Sequence, residues 1–221
     1  YMQRRAHSVP PRPPCRPGQF RALVIAMGGS VVLSEFPELC GVEQSLVDRC
    51  VRPELGKRFL QLMKDYDAVL RTVGSGFDQN PSPGNIADGL TTDAIKSAGA
   101  ALKGGTAPIE DVFDYPEWIR KPGLSLLCTP GGDVESTTAM AGAGANVMMF
   151  STGLGTPTGN PVTPVMKISS NSTIADKLSD IIDFDTGPVI GGSKSIDELA
   201  DALFDLAIQT ASGEYEVCAQ R

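Results

Sequence analysis

The sequence is poor in histidine. Its single one, His7, lies in a Pro- and Arg-rich opening stretch. A catalytic histidine is therefore not expected, and proton transfer falls to carboxylates, lysine, tyrosine, cysteine, hydroxyls or bound water. Cysteine is sparse and unpaired: Cys15, Cys40, Cys50, Cys128 and Cys218 are odd in number and form no CxxC spacing. A disulfide framework is not expected, and reduced, mostly buried thiols suit a cytoplasmic protein. No apolar run reaches the roughly 18 residues that a membrane-spanning helix requires. The basic start has no apolar core behind it, so a secretory signal is not expected either. Positive charge is in deficit, with 19 Lys and Arg against 26 Asp and Glu and a net charge of −7. Such a balance argues against nucleic acid or an anionic membrane as the main partner. An anionic small molecule stays compatible, because a local cation or a helix N-terminus overrides the average.

What is present is an ordinary globular composition, 41% hydrophobic and 20% charged over 221 residues. That is enough for one full core, or one domain with a small satellite. Residues 1–20 stand apart, with five Pro and four Arg. They read as a disordered arm or a gene-boundary artefact, with an Arg/Pro-rich ligand for a partner as the alternative. Residues 21–221 read as one regularly patterned region, with a subdivision near 73–80 as an alternative. Apolar strands are expected at 22–27 and 31–34, around the Gly28-Gly29 turn, and again at 108–113, 124–128, 146–150 and 165–168. Helices are expected at 53–70, 91–103, 133–143 and 195–210. Thr91 or Thr92 can cap the second of these. Strands alternating with helices predict an α/β architecture: a layered sheet with flanking helices and polar Gly/Pro-rich loops at the strand ends.

Five segments carry candidate chemistry. At the exit of the second strand, Ser34-Glu35-Phe36-Pro37-Glu38 puts two carboxylates three residues apart. Such a pair can hold a divalent cation or take a proton from carbon; the plainer reading is an acidic first turn of a helix. In residues 80–92, prolines stiffen a loop offering Asn80, Ser82, Asn85 and Thr91, neutral donors and acceptors suited to a polyhydroxy substrate or a carboxylate. Lys96 follows one helical turn beyond Thr92. Thr129-Pro130-Gly131-Gly132-Asp133 is a strand–turn–helix junction in which capping explains Asp133. Residues 150–164 hold Ser151 and Thr152 in a rigid loop suited to an anion, with Lys167 on the next strand. Its GLGTPTG fails the dinucleotide pattern at the third glycine, and no GxxxxGK[ST] phosphate loop occurs anywhere. Finally, alternation in residues 180–187 puts Asp183 and Asp185 on one face, as a metal-binding pair or a solvated edge.

Taken in order, SEFPE, NPSPGN, GLTT, TPGGD, STGLGTPTGNPVTPVMK and IIDFDTG resemble the C-terminal half of the altronate/galactarate dehydratase family. The resemblance runs from about Gly28 to Glu214, and GLGTPTGNPVTP with IIDFDTG looks closest to its altronate dehydratase branch. It implies a hydro-lyase that removes a proton alpha to the carboxylate of an aldonic acid and then expels the neighbouring hydroxyl, converting altronate to 2-dehydro-3-deoxy-gluconate. It also implies a divalent metal, iron(II) or manganese(II). On this resemblance Glu35 and Glu38 are base or metal-ligand candidates, and Asp183 is a further ligand candidate. Asn80, Ser82, Asn85, Thr91, Ser151 and Thr152 hold hydroxyls and carboxylate, with Lys96 or Lys167 as the cation. Two departures matter. Leu154 stands where family members often carry Arg. The small N-terminal domain and the Cys- and Gly-rich central region of full-length members do not precede SEFPE here. The expectations that follow are a chain incomplete by itself, a missing N-terminal segment or subunit, or a homo-oligomer. A related galactarate dehydratase or sulfolactate sulfo-lyase subunit is the alternative enzyme, and a binding domain without turnover the non-enzyme alternative.

Overall fold

The computed structural model describes residues 24–87, 89 and 91–221. The arm expected at 1–20 lies outside the described residues. The strand expected at 22–27 is not one: residues 24–26 are helical. The Gly28 N–H donates to the Ile25 carbonyl and the Gly29 N–H to the Val24 carbonyl, and Gly28 turns the chain at φ 83°. A six-residue apolar run carries no period that separates a strand from a buried helical turn.

Two three-stranded parallel sheets organise the described residues. The first is ordered β1 (Ser30–Leu33), β3 (Gly123–Leu127), β2 (Ile109–Phe113). Its central strand, β3, is buried at every position, as expected of a strand paired on both edges and covered on both faces. The second is ordered β4 (Met148–Thr152), β5 (Val165–Ser169), β6 (Phe184–Asp185). The expected α/β character holds, with the strands divided between two sheets.

The Pro53–Thr72 helix covers the first sheet and buries Leu55, Phe59 and Met63, one stripe at helical spacing. Phe59 meets Phe36 edge-to-face, ring centres 5.1 Å apart, anchoring the short 3₁₀ turn Phe36–Leu39 to the core. The Asp93–Leu102 helix is capped by Thr92, whose hydroxyl accepts from the Ile95 N–H at 3.2 Å. A full capping box between Ser195 and Glu198 opens the Ile196–Ala211 helix. Among the described residues no helix is long and apolar enough to cross a membrane. Cys40, Cys50, Cys128 and Cys218 are free thiols.

Several short elements were not expected, among them Glu43–Val47, Pro83–Ala87 and Ser172–Lys177. Each spans too few turns to show an apolar period, so side-chain bonds such as the Asn171 cap define them instead.

Candidate functional site

In the first sheet β1 and β3 run parallel and adjacent, so the residues leaving them emerge side by side. From β1 come Ser34 and Glu35, and from β3 comes Thr129. The Glu35 N–H donates to the Thr129 hydroxyl oxygen at 2.8 Å, and the Phe36 N–H to the Thr129 carbonyl at 3.2 Å. The grip holds Glu35 at φ 64°, the only left-handed non-glycine backbone among the described residues. Such strain persists only where surrounding bonds over-determine it, and it gathers at functional sites. Behind Glu35, the hydroxyls of Thr129 and Ser34 lie 3.2 and 3.3 Å from that of Ser136.

The Glu35 carboxyl is largely buried, and that burial pushes its pKa up to about 7. Lys103 pulls it down, Glu38 and Asp133 push it up again, and the Ser136 hydroxyl pulls it down slightly. A carboxyl poised there accepts or gives a proton near neutrality with little driving force lost either way.

Next to it, Lys96 Nζ lies 2.8 Å from Glu38 Oε1 and also donates to Asn80 Oδ1. Asn80 Nδ2 donates to the Pro37 carbonyl at 3.3 Å. Glu35, Glu38, Asn80 and Lys96, four candidates separated by up to sixty residues of chain, therefore share one locality.

The other candidates lie elsewhere or are engaged. The Ser82 N–H donates to Asn85 Oδ1 and the Asn85 N–H to Ser82 Oγ, a reciprocal pair that opens the Pro83–Ala87 helix. Thr91 and Ser151 are exposed. Thr152 Oγ1 accepts from the Gly155 N–H at 2.9 Å, stapling its own loop. Lys167 is wholly buried, and its ammonium donates to the Thr158 carbonyl at 3.0 Å. Burial presses its pKa down, with Asp183 and Cys218 acting against that. Asp183 Oδ1 accepts from the Tyr215 hydroxyl and the Cys218 N–H, and its Oδ2 from the Lys167 N–H.

The Asp183 carboxylate is thus engaged by three structural donors. Among the described residues no group of three or more His, Cys, Asp or Glu side chains could hold a metal ion together. Glu35, Glu38 and Asp183 accordingly do not assemble into the expected ligand trio. Asp185 accepts from the Gly187 N–H at 2.8 Å, closing a turn.

Sequence reasoning marked the Thr129–Asp133 junction but gave Thr129 and Ser136 no role, and it missed Lys103. Capping was the expected role of Asp133, but Gly132 is the N-cap and no side chain caps the Asp133–Gly142 helix. Instead Asp133 Oδ2 accepts from the Thr156 hydroxyl at 2.7 Å, reaching the loop of the other sheet. The signal available was position: TPGGD leaves β3 where SEFPE leaves β1. Only the pairing of those two strands turns that into proximity. A separate open concavity of about 630 Å³, lined by Gly159, Asn160, Pro161, Glu216, Ala219 and Gln220, contains none of the clustered carboxylates.

Comparison with known proteins gives this geometry a context. Residues 15–221 match the family model for D-galactarate/altronate dehydratase, C-terminal. The chain is 40% identical over 204 residues to altronate dehydratase of Escherichia coli (strain K12), covering 92% of this chain and 41% of that protein. It is 34% identical to altronate dehydratase of Bacillus subtilis (strain 168), covering 89% of this chain and 39% of that protein. It is 33% identical to galactarate dehydratase (L-threo-forming) of Escherichia coli (strain K12), covering 87% of this chain and 37% of that protein. The chain spans about two fifths of the length of these curated relatives.

Proposed function

We propose, from the premise that this chain belongs to the D-galactarate/altronate dehydratase family as its C-terminal region, that it takes part in dehydrating an aldonic acid, with altronate the first substrate to test. Higher identity to the two altronate dehydratases than to the galactarate dehydratase supports that choice of substrate. The observation that carries the reading is Glu35: a strained, largely buried carboxyl whose pKa sits near 7, beside a second carboxylate, lysines and hydroxyls.

The chemistry needs a base for a weakly acidic proton and positive charge for the enediolate that forms. In its ionised form Glu35 takes the proton from the carbon alpha to the substrate carboxylate. The electron pair passes into that carboxylate, and the hydroxyl on the neighbouring carbon departs as water after gaining a proton. The resulting enol ketonises to the 2-keto-3-deoxy acid, so the balance is substrate less one water. Lys103 lies close enough to interact with Glu35 electrostatically, and Lys96 is fixed by Glu38 and Asn80; these are the cations available to the developing charge.

The test is release of a 2-keto-3-deoxy acid from altronate by the purified chain, in buffer alone and with iron(II) or manganese(II), compared with Glu35→Gln. Release that disappears in Glu35→Gln is the expected result. Equal release from Glu35→Gln removes Glu35 from the mechanism, and no release under any condition removes the activity from this chain.

A further inference from the structure

We infer that Thr156 and Thr158, with Asp133 on one side and the buried Lys167 on the other, form a positioning clamp that sets the 153–164 loop against the Glu35 side of the molecule for binding the sugar acid. This rests on the dehydratase reading above, because it concerns the same site.

The argument begins with where two charged groups are placed. Asp133 opens a helix but does not cap it. Its Oδ2 instead accepts from the Thr156 hydroxyl at 2.7 Å and the Thr158 hydroxyl at 3.4 Å. The two threonines are tied to each other: the Thr158 N–H donates to Thr156 Oγ1 at 3.2 Å, and the two hydroxyl oxygens lie 3.0 Å apart. Thr156 is itself buried.

From the opposite side, Lys167 Nζ donates to the Thr158 carbonyl at 3.0 Å, with the whole lysine side chain removed from water. An ammonium taken out of water is costly unless good acceptors meet it. Here it meets a loop carbonyl and the nearby Asp183 charge. Thr158 is therefore gripped through its hydroxyl and its carbonyl at once, by the first residue of the Asp133–Gly142 helix and by Lys167 of β5. The loop's other end is stapled by the Gly155 N–H on Thr152 Oγ1. Gly155 sits at φ 92°, a left-handed backbone that side-chain-bearing residues rarely adopt.

Asp133 is also close enough to Glu35 for their charges to interact. Moving Asp133 or releasing the loop from it changes how far the loop stands from the reacting carboxyl. Thr156, Thr158 and Lys167 touch no reacting atom in this proposal; they are positioning residues acting through the loop.

The experiment uses the full chain and two readouts. In kinetics with altronate, Thr156→Val and Asp133→Ala are expected to raise KM about tenfold with kcat changed less than about twofold, the signature of lost binding without lost chemistry. Thr156→Ser and Asp133→Asn keep a hydroxyl and an acceptor oxygen, and each is expected to restore most of the affinity. A fall in kcat at constant KM, or Asp133→Asn as impaired as Asp133→Ala, overturns the proposal. Backbone hydrogen exchange at Thr158 is read in parallel, since it needs no turnover. Faster exchange in Asp133→Ala but not in Asp133→Asn supports the clamp, and exchange unchanged in both overturns it. If the unmodified chain turns over no altronate, the dehydratase reading fails, and the exchange result still decides the clamp.

Discussion

Thr129 holds Glu35 by its backbone: the Glu35 N–H sits 2.8 Å from Thr129 Oγ1, and Glu35 keeps a left-handed φ of 64°. One hydroxyl at the exit of β3 thus fixes the conformation of a carboxylate at the exit of β1. The strain is local and the restraint comes from ninety-four residues away in the chain, so both must survive for the site to exist.

Replacing Thr129 with Val keeps the shape and deletes the acceptor. A buried donor left without a partner costs about 1–3 kcal/mol. Urea unfolding of Thr129→Val is expected to show a loss in that range, with Thr129→Ser close to the parent. Equal stability of all three would mean the hydroxyl restrains nothing.

Stability should depend on pH through Glu35. Its carboxyl titrates at about 7 in the folded chain against the ordinary 4.5. The folded state therefore holds the proton more tightly than the unfolded state does. The associated stability is fully present below about pH 4.5, declines as pH rises through that interval, and is gone above pH 7. The span corresponds to roughly 2–3 kcal/mol after allowing for partial solvent access. Denaturation at pH 5 and pH 8 should show this decline in the parent and a smaller one in Glu35→Gln; parallel profiles contradict the assignment. Activity that needs ionised Glu35 should rise over the same interval.

Lys96 and Glu38 form an ion pair with each side chain only about one-fifth exposed. Lys96→Met leaves Glu38 without its cation and frees Asn80 Oδ1, and a loss of about 1–2 kcal/mol is expected, between surface and fully buried pairs. A double-mutant cycle with Glu38→Gln should return a coupling of about 1 kcal/mol. Strict additivity would show that the contact does not hold in solution.

Asp183 should behave as a structural carboxylate. It accepts from the Tyr215 hydroxyl, the Cys218 N–H and the Lys167 N–H, so Asp183→Ala is expected to cost about 2–4 kcal/mol of stability. Isothermal titration with manganese(II) should give the same result before and after the substitution. Loss of metal binding without loss of stability would restore Asp183 as a ligand.

Some of this architecture was legible from the residues. The stripe through Leu55, Phe59 and Met63 marked one helix, and Thr92 was one of the two caps read at the start of another. The apolar runs forming β2, β3, β4 and β5 were evident from composition and spacing. The run at 22–27 misled, because four to six apolar residues carry no period. Glu35, Glu38 and the 80s loop stood out as polar groups at strand and helix ends, where α/β proteins place ligands.

Local chemistry by itself thus determined the helices with a clear stripe, most strands and the kinds of group available for catalysis. It did so because caps and apolar periods act within a few residues of chain. Tertiary structure alone decided that Lys96 meets Glu38, that Asp133 reaches Thr156 instead of capping its helix, and that Asp183 is engaged by Tyr215 and Cys218. Those partners lie between 23 and 58 positions apart in the numbering. Only the pairing and packing of strands and helices brings them within hydrogen-bond reach, and the burial that this packing creates is also what moves the Glu35 carboxyl toward neutrality.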